Sequence, residues 1–158
     1  QARRFFLDAA QVPGVVVRHG AVTDAVIAAL IAASDVVVSA HRSEGFGLSL
    51  AEAMAAGKAV AATLWSGNTD FMAPEISVPI PYSLKPLAPG DYVHAEGQVW
   101  AEPDADALRD TLLTLVNDPA MRRRRGDAAR SAVQTQLSPE AIAPRVRERL
   151  DAIFSHMS

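Results

Sequence analysis

An α/β fold, built on a doubly wound, mainly parallel sheet flanked by helices, is what this sequence predicts. Three observations predict it. Short apolar runs, Val15-Val16-Val17, Val36-Val37-Val38 and residues 59–63, alternate with stretches patterned as helices. That alternation implies parallel strands joined by helical crossovers, with helices on both faces of the sheet. The runs are continuously apolar, as buried parallel strands are. After the second run, Glu44-Gly45-Phe46-Gly47 opens the backbone where a strand gives way to a helix.

The elements follow in order. Residues 3–10 carry a helical pattern. The valine run at 15–17 is expected to be a strand ending at His19-Gly20. Thr23 or Asp24 can cap the next helix, which has Val26, Ile27, Leu30 and Ile31 on one face. The Val36 strand comes next. From Leu48 to Ala56 the residues are strong helix formers, and Gly57 stands at the C′ position, so a helix runs from near Gly47 to near Gly57. Residues 59–63 form the following strand. Residues 74–97 are rich in proline and glycine, with short extended pieces at Ser77-Val78 and Tyr82, and residues 98–101 form a last short strand. Helices close the chain. Residues 104–117 place Leu108, Leu112 and Leu115 on one side. Asp118-Pro119 starts a second helix, with proline at its first position. Ser138-Pro139 starts a third, where Ile142, Val146, Leu150 and Ile153 are spaced as a core-facing stripe. Pro144 should kink that helix or delay its start. No internal repeat is present.

Composition fits one compact domain spanning residues 1–158, since 158 residues with 49% hydrophobic content suffice for a real core. The apolar stretch at 26–33 is broken by Ser34 and Asp35, too soon to cross a membrane. A net charge of −3 exerts no general pull on nucleic acid. Without cysteine there are no disulfides or thiolate metal sites, which is compatible with the cytoplasm. No secretory signal is visible. The histidines lack metal-ligand spacing, and no Gly-x-Ser-x-Gly elbow surrounds Ser49. Arg122-Arg123-Arg124-Arg125 is expected to be a solvated helix face near Asp118 and Asp127. Its alternative is contact with an anionic membrane surface. Trp65 and Trp100 are expected to be packing residues.

Chemistry concentrates at Glu44 and Glu52, which bracket Gly45 and Gly47. A helix starting near Gly47 has N–H groups without intrahelical partners, and they carry partial positive charge. A phosphate placed there gains hydrogen bonds and a favourable dipole, and glycine lets it approach. Glu52 lies about one and a half turns into the helix, with its side chain leaning back towards the N-terminus. Glu44 precedes the helix and can reach the other side. Two carboxylates gripping hydroxyls on either side of a backbone-bound anion suit a sugar joined to a nucleotide by a diphosphate. The plain alternative is a solvated loop glutamate, an exposed helical glutamate and an ordinary turn.

The stretch from Ser39 to Met72, with Glu44 and Glu52 as an E-x7-E element, resembles the signature of retaining glycosyltransferases of the GT-B fold, family 4 or "group 1". The resemblance continues more weakly through Val78-Pro79, Tyr82 and residues 98–103. Ala59 departs from it, where proline is usual. The resemblance implies a Rossmann-like domain, the C-terminal, donor-binding half of a two-domain enzyme. It implies that Glu52 holds the ribose hydroxyls and that Glu44 contacts the transferred sugar in the catalytic centre. The backbone of Gly45, Phe46, Gly47 and Leu48 would meet the sugar and diphosphate. His41 and Arg42 would line the approach, and Ser66, Gly67 and Asn68 would border the donor sugar. Each of the last five has a plainer role open to it, as a strand-end, surface or turn residue.

The resemblance further implies a nucleotide-sugar donor, no required metal or other cofactor, and an acceptor that is a glycan or lipid-linked. A chain that does not begin with Met is expected to be a piece of a longer enzyme. Its partners would be an acceptor-binding N-terminal domain and, peripherally, the inner face of a membrane. Alone it is expected to be inactive and to bind donor weakly. An open sheet edge would invite a dimer. Two other readings stay open: a sugar-nucleotide epimerase of similar architecture, and a non-catalytic nucleotide-binding or interaction module.

Overall fold

The structure is a computed structural model that describes residues 8, 9 and 11–155. Its elements run α1 (Asp24–Ala33), β1 (Val36–Ser39), α2 (Leu48–Ala55), β2 (Ala59–Thr63), a short 3-10 turn (Gly67–Asp70), β3 (Val78–Ile80), β4 (Tyr82–Pro86), β5 (Val99–Pro103), α3 (Ala105–Asn117), α4 (Pro119–Leu137) and α5 (Pro139–Ser155). Strands β1, β2 and β3 pair in parallel, in that order. Strands β4 and β5 pair antiparallel as a separate ribbon.

The central strand β2 is buried along its whole length. Successive side chains on a strand face opposite ways, and here both faces are covered. Val60 and Ala62 meet Ile31, Leu50, Met54, Phe71 and Val133 on one side. Ala59 and Ala61 meet Ile80 and Leu115 on the other. That two-sided core is the doubly wound arrangement the apolar runs predict.

The helix ends follow their residues. Gly47 takes φ 92° at the N-cap of α2, and Gly57 takes φ 71° just past its end. There the Lys58 N–H donates to Ala53 O at 3.0 Å and the Gly57 N–H to Met54 O at 2.9 Å, the paired bonds of a Schellman close. Asp104 caps α3 through the Asp106 and Ala107 N–H groups. Asp118 caps α4 by accepting from the Met121 N–H at 2.7 Å, with Pro119 at the first position. Helix α4 crosses the exit of α2 in backbone contact: a Cβ on Gly126 would stand 2.1 Å from Gly57 O.

Several expectations are corrected. Residues 15–17 form no strand, and Val16 is 80% exposed. A strand needs a neighbour to take its backbone groups, and none lies beside this run among the described residues. The face of α1 is split: Ile27 and Ile31 join the core, while Val26 and Leu30 stay exposed. The stripe on α5 does not face a core; Ile142, Val146, Leu150 and Ile153 are all exposed. Pro144 lies inside α5 and does not delay its start. The last strand runs two residues further than expected, to Pro103, because its pairing with Tyr82 extends it. Of the predicted helix at 3–10, Asp8 and Ala9 are helical and the remainder lies outside the described residues. Among the described residues no helix is long and apolar enough to cross a membrane.

The arginine run is not simply a solvated face. Arg122 donates to Leu115 O and to Val116 O, closing the last turn of α3. Arg125 donates to Pro74 O at 2.7 Å and Glu75 O at 2.6 Å, while Arg123 and Arg124 are exposed.

Candidate functional site

The two loops that leave the carboxyl ends of β1 and β2 are joined. Gly67 N–H and the Ser66 hydroxyl both donate to Glu44 O, at 2.9 Å each. The contact is too close for a side chain: a Cβ on Gly67 would stand 2.0 Å from Gly45 O. Ser66 itself takes φ 75° and ψ −147°, a region L-residues rarely adopt. Ligands of open α/β sheets bind at this end of the strands.

Glu44 turns inward over the glycine turn. One of its carboxylate oxygens accepts from the Gly47 N–H at 3.1 Å. Phe46 anchors the turn on buried Phe71, with ring centroids 5.0 Å apart. Leu48 is exposed at the first turn of α2. Asn68 is fully buried beneath the turn and its side chain donates to Thr63 O at 2.9 Å; its side-chain oxygen Oδ1 has no hydrogen-bond partner among the described residues. Asn68 therefore supports the turn from below.

Glu52 is exposed on α2 and lines a cavity of about 330 Å³ between α1 and α2, together with Asp24, Ile27, Ile31 and Ala56. The structure thus sets Glu44 in the loop before α2 and Glu52 on the helix itself.

His41 and Arg42 diverge after β1. The His41 ring bridges Ser39 Oγ, 2.9 Å from Nδ1, and Trp65 O, 3.2 Å from Nε2. A carbonyl only accepts, so Nε2 carries a proton. His41 is thereby satisfied as a tie between the β1 and β2 loops. Arg42 points to the β4–β5 ribbon instead. It makes two bonds of 2.9 Å to Glu102 and lies 4.6 Å from the centroid of the Trp100 ring. The Arg42 bonds hold the Glu102 carboxyl below its ordinary range, against a weaker opposing effect of burial. The guanidinium is raised in turn, chiefly by the same bonds.

A second cavity, of about 680 Å³, opens where Arg42, Ser43 and Gly45 face Tyr92, His94 and Trp100 of the ribbon and its loop. Sequence reasoning missed it. Its walls come from segments about fifty positions apart, and nothing in either segment says that they meet.

Among curated proteins none matches the chain. Among solved structures, sucrose-phosphate synthase from Thermosynechococcus elongatus is similar in fold, with a TM-score of 0.74 at 24% identity. The match covers 98% of this chain and 34% of that one, so the chain spans about a third of the length of that enzyme. A family model described as glycosyl transferases group 1 matches residues 6–132. That match contains the glycine turn, both glutamates and the joined loops, and on it the chain belongs to the group 1 glycosyl transferases.

Proposed function

We propose that this chain is the donor-binding domain of a retaining, family 4 glycosyltransferase, which moves a sugar from a nucleotide-sugar to a glycan or lipid-linked acceptor. The observation that carries the reading is the placement of Glu44 and Glu52 at the two ends of a glycine-opened helix start, beside the joined loops. The diphosphate would sit at the α2 N-terminus, on N–H groups that no helical carbonyl takes. Glu52 would take the ribose hydroxyls in the cavity against α1. Glu44, already holding Gly47 N–H with one oxygen, would offer the other to the transferred sugar.

In this reading the bond from the anomeric carbon to the diphosphate oxygen breaks, and a bond to an acceptor hydroxyl forms on the same face. The acceptor's hydroxyl proton passes to an oxygen of the leaving diphosphate, and the negative charge growing there is met by the helix N-terminus. Glu44 orients the sugar rather than forming a covalent bond to it. The reaction calls on no metal. A longer enzyme would supply an acceptor domain across a cleft, in the cytoplasm or at the inner face of a membrane.

The test is a titration of the chain with UDP and GDP followed by amide NMR, which detects weak binding. Shifts are expected at residues 45–52 with one nucleotide, and Glu52→Ala should weaken binding roughly ten- to hundredfold, as loss of a charged hydrogen-bond partner does. Binding unchanged in Glu52→Ala, or no binding at all, sinks the donor-site reading.

A further inference from the structure

The Arg42–Glu102 pair stands apart from the two glutamates on which the reading above rests. We infer that Glu102 is a positioning residue for donor binding: it holds the Arg42 guanidinium with one end free, and that end meets the sugar of the nucleotide-sugar. The inference rests on the donor reading for its ligand and on the geometry of the pair for its residue.

Contacts converge on Arg42 from three successive residues of β5. Trp100 and Glu102 stand two apart on that strand, so their side chains share one face. The Trp100 ring centroid lies 4.6 Å from the guanidinium carbon. The Glu102 carboxylate accepts from the Nε and Nη2 N–H groups, at 2.9 Å each. Between these two, buried Ala101 donates its N–H to Arg42 O at 3.0 Å. Backbone, ring plane and fork of the arginine are thus all held by one strand.

Stability does not account for the arrangement. The Arg42 side chain is 51% exposed, and ion pairs in water add little to folding. What the contacts fix is direction. A free arginine samples many rotamers, which a ligand would have to quench; here that ordering is done before any ligand arrives. Glu102 takes two of the five N–H groups of a guanidinium, and among the described residues no acceptor meets Nη1.

Place and charge then name what Nη1 meets. Arg42 stands two residues before Glu44, whose carbonyl is clamped by Ser66 and Gly67. It lines one cavity with Ser43 and Gly45, whereas Glu52 faces another that shares no wall with it. The guanidinium is therefore on the sugar side of the glycine turn, away from the ribose. Its charge is already matched by Glu102, a carboxylate that also has Lys85 3.9 Å away. N–H groups with a matched charge suit neutral sugar hydroxyls, and the diphosphate keeps the helix N-terminus.

Amide and indole NMR titrations with UDP and UDP-glucose, repeated with GDP and GDP-mannose, test this. Glu102→Gln keeps the side chain's shape but offers one acceptor oxygen in place of two. It should weaken the nucleotide-sugar roughly tenfold, leave the nucleotide alone unchanged, and move the Trp100 indole signal before any ligand is added. Arg42→Gln should weaken the nucleotide-sugar as much. Adding Glu102→Gln to it should change nothing further, because the carboxylate acts through the arginine. An unchanged nucleotide-sugar affinity in Glu102→Gln, with the nucleotide still bound, overturns the positioning role and leaves the donor reading standing. Losses that add in the double variant also overturn it, since Glu102 would then act without Arg42. Equal weakening of nucleotide and nucleotide-sugar overturns the sugar contact and assigns the guanidinium to the diphosphate. If the wild type binds neither, the donor reading fails and this role fails with it.

Discussion

Gly67 can be no other residue without moving its neighbour. Its missing Cβ is filled by Gly45 O, so Gly67→Ala must push the β1 loop away from the β2 loop. The expected cost is about 1–3 kcal/mol, the usual range for overpacking against something that cannot rotate away. Thermal unfolding measures it, and an unchanged Tm would show that the two loops are not joined as described. Glu102 gives a pH-dependent counterpart. Its folded pKa lies below its unfolded one, so the contact adds stability above the unfolded pKa and loses it as pH falls through the folded value. Acidification through that folded value, below the ordinary glutamate range, should release Arg42 from the ribbon and change the emission of Trp100. Glu102→Gln should abolish that transition, and a transition that persists in it belongs to another group. At this scale the sequence was partly readable. Glycines at 47 and 57 declare their left-handed backbones, because few other residues take them. Nothing adjacent to Arg42 announces Glu102, since that pairing depends on how β5 is placed.

The helices separate what local residues decide from what packing decides. Asp118-Pro119 starts α4 through a bond that the sequence itself supplies, and Asp118→Ala should cost about 0.5–2 kcal/mol in denaturant unfolding. Periodicity says which face of a helix is apolar but not what covers it. Leu115 and Leu150 look alike in the sequence, yet Leu115 is fully buried in α3 and Leu150 is 46% exposed on α5. Leu115→Ala should therefore cost about 2–5 kcal/mol, and Leu150→Ala within about 0.5 kcal/mol. Equal losses would mean that α5 is covered in solution. The valines at 15–17 miss for the same reason. A β-branched run is a strand only when another strand takes its hydrogen bonds, and that neighbour is not written in the run itself.

At the scale of the whole molecule, the β1–α2–β2 crossover was legible because apolar run, glycine and helix follow one another in the sequence, whereas β2 passes to β3 through only a short 3-10 turn. The residues proposed for the donor site stand out in the sequence because a short segment carries most of them. The ribbon cavity does not, because it exists only where residues 42–45 meet residues 87–100. If the chain holds a nucleotide, UDP or GDP at about a hundred times its Kd should raise folding stability by about 2.7 kcal/mol. A saturating nucleotide that leaves Tm unmoved would contradict binding to the folded state.

Helix α2 is fastened at both ends. Its entry is held by Glu44, Ser66 and Gly67, and its exit by the Gly57–Gly126 crossing and the Arg130 bond to Ala56 O. Eight residues span about 12 Å. Glu52 is the fifth residue of that rod, about 6 Å along it from the first, so with both ends held the helix works as a fixed gauge between the glycine turn and Glu52. A ligand touching both must bring its own matching length, and one atom too many in the middle would have to bulge outward, because the protein cannot stretch to meet it.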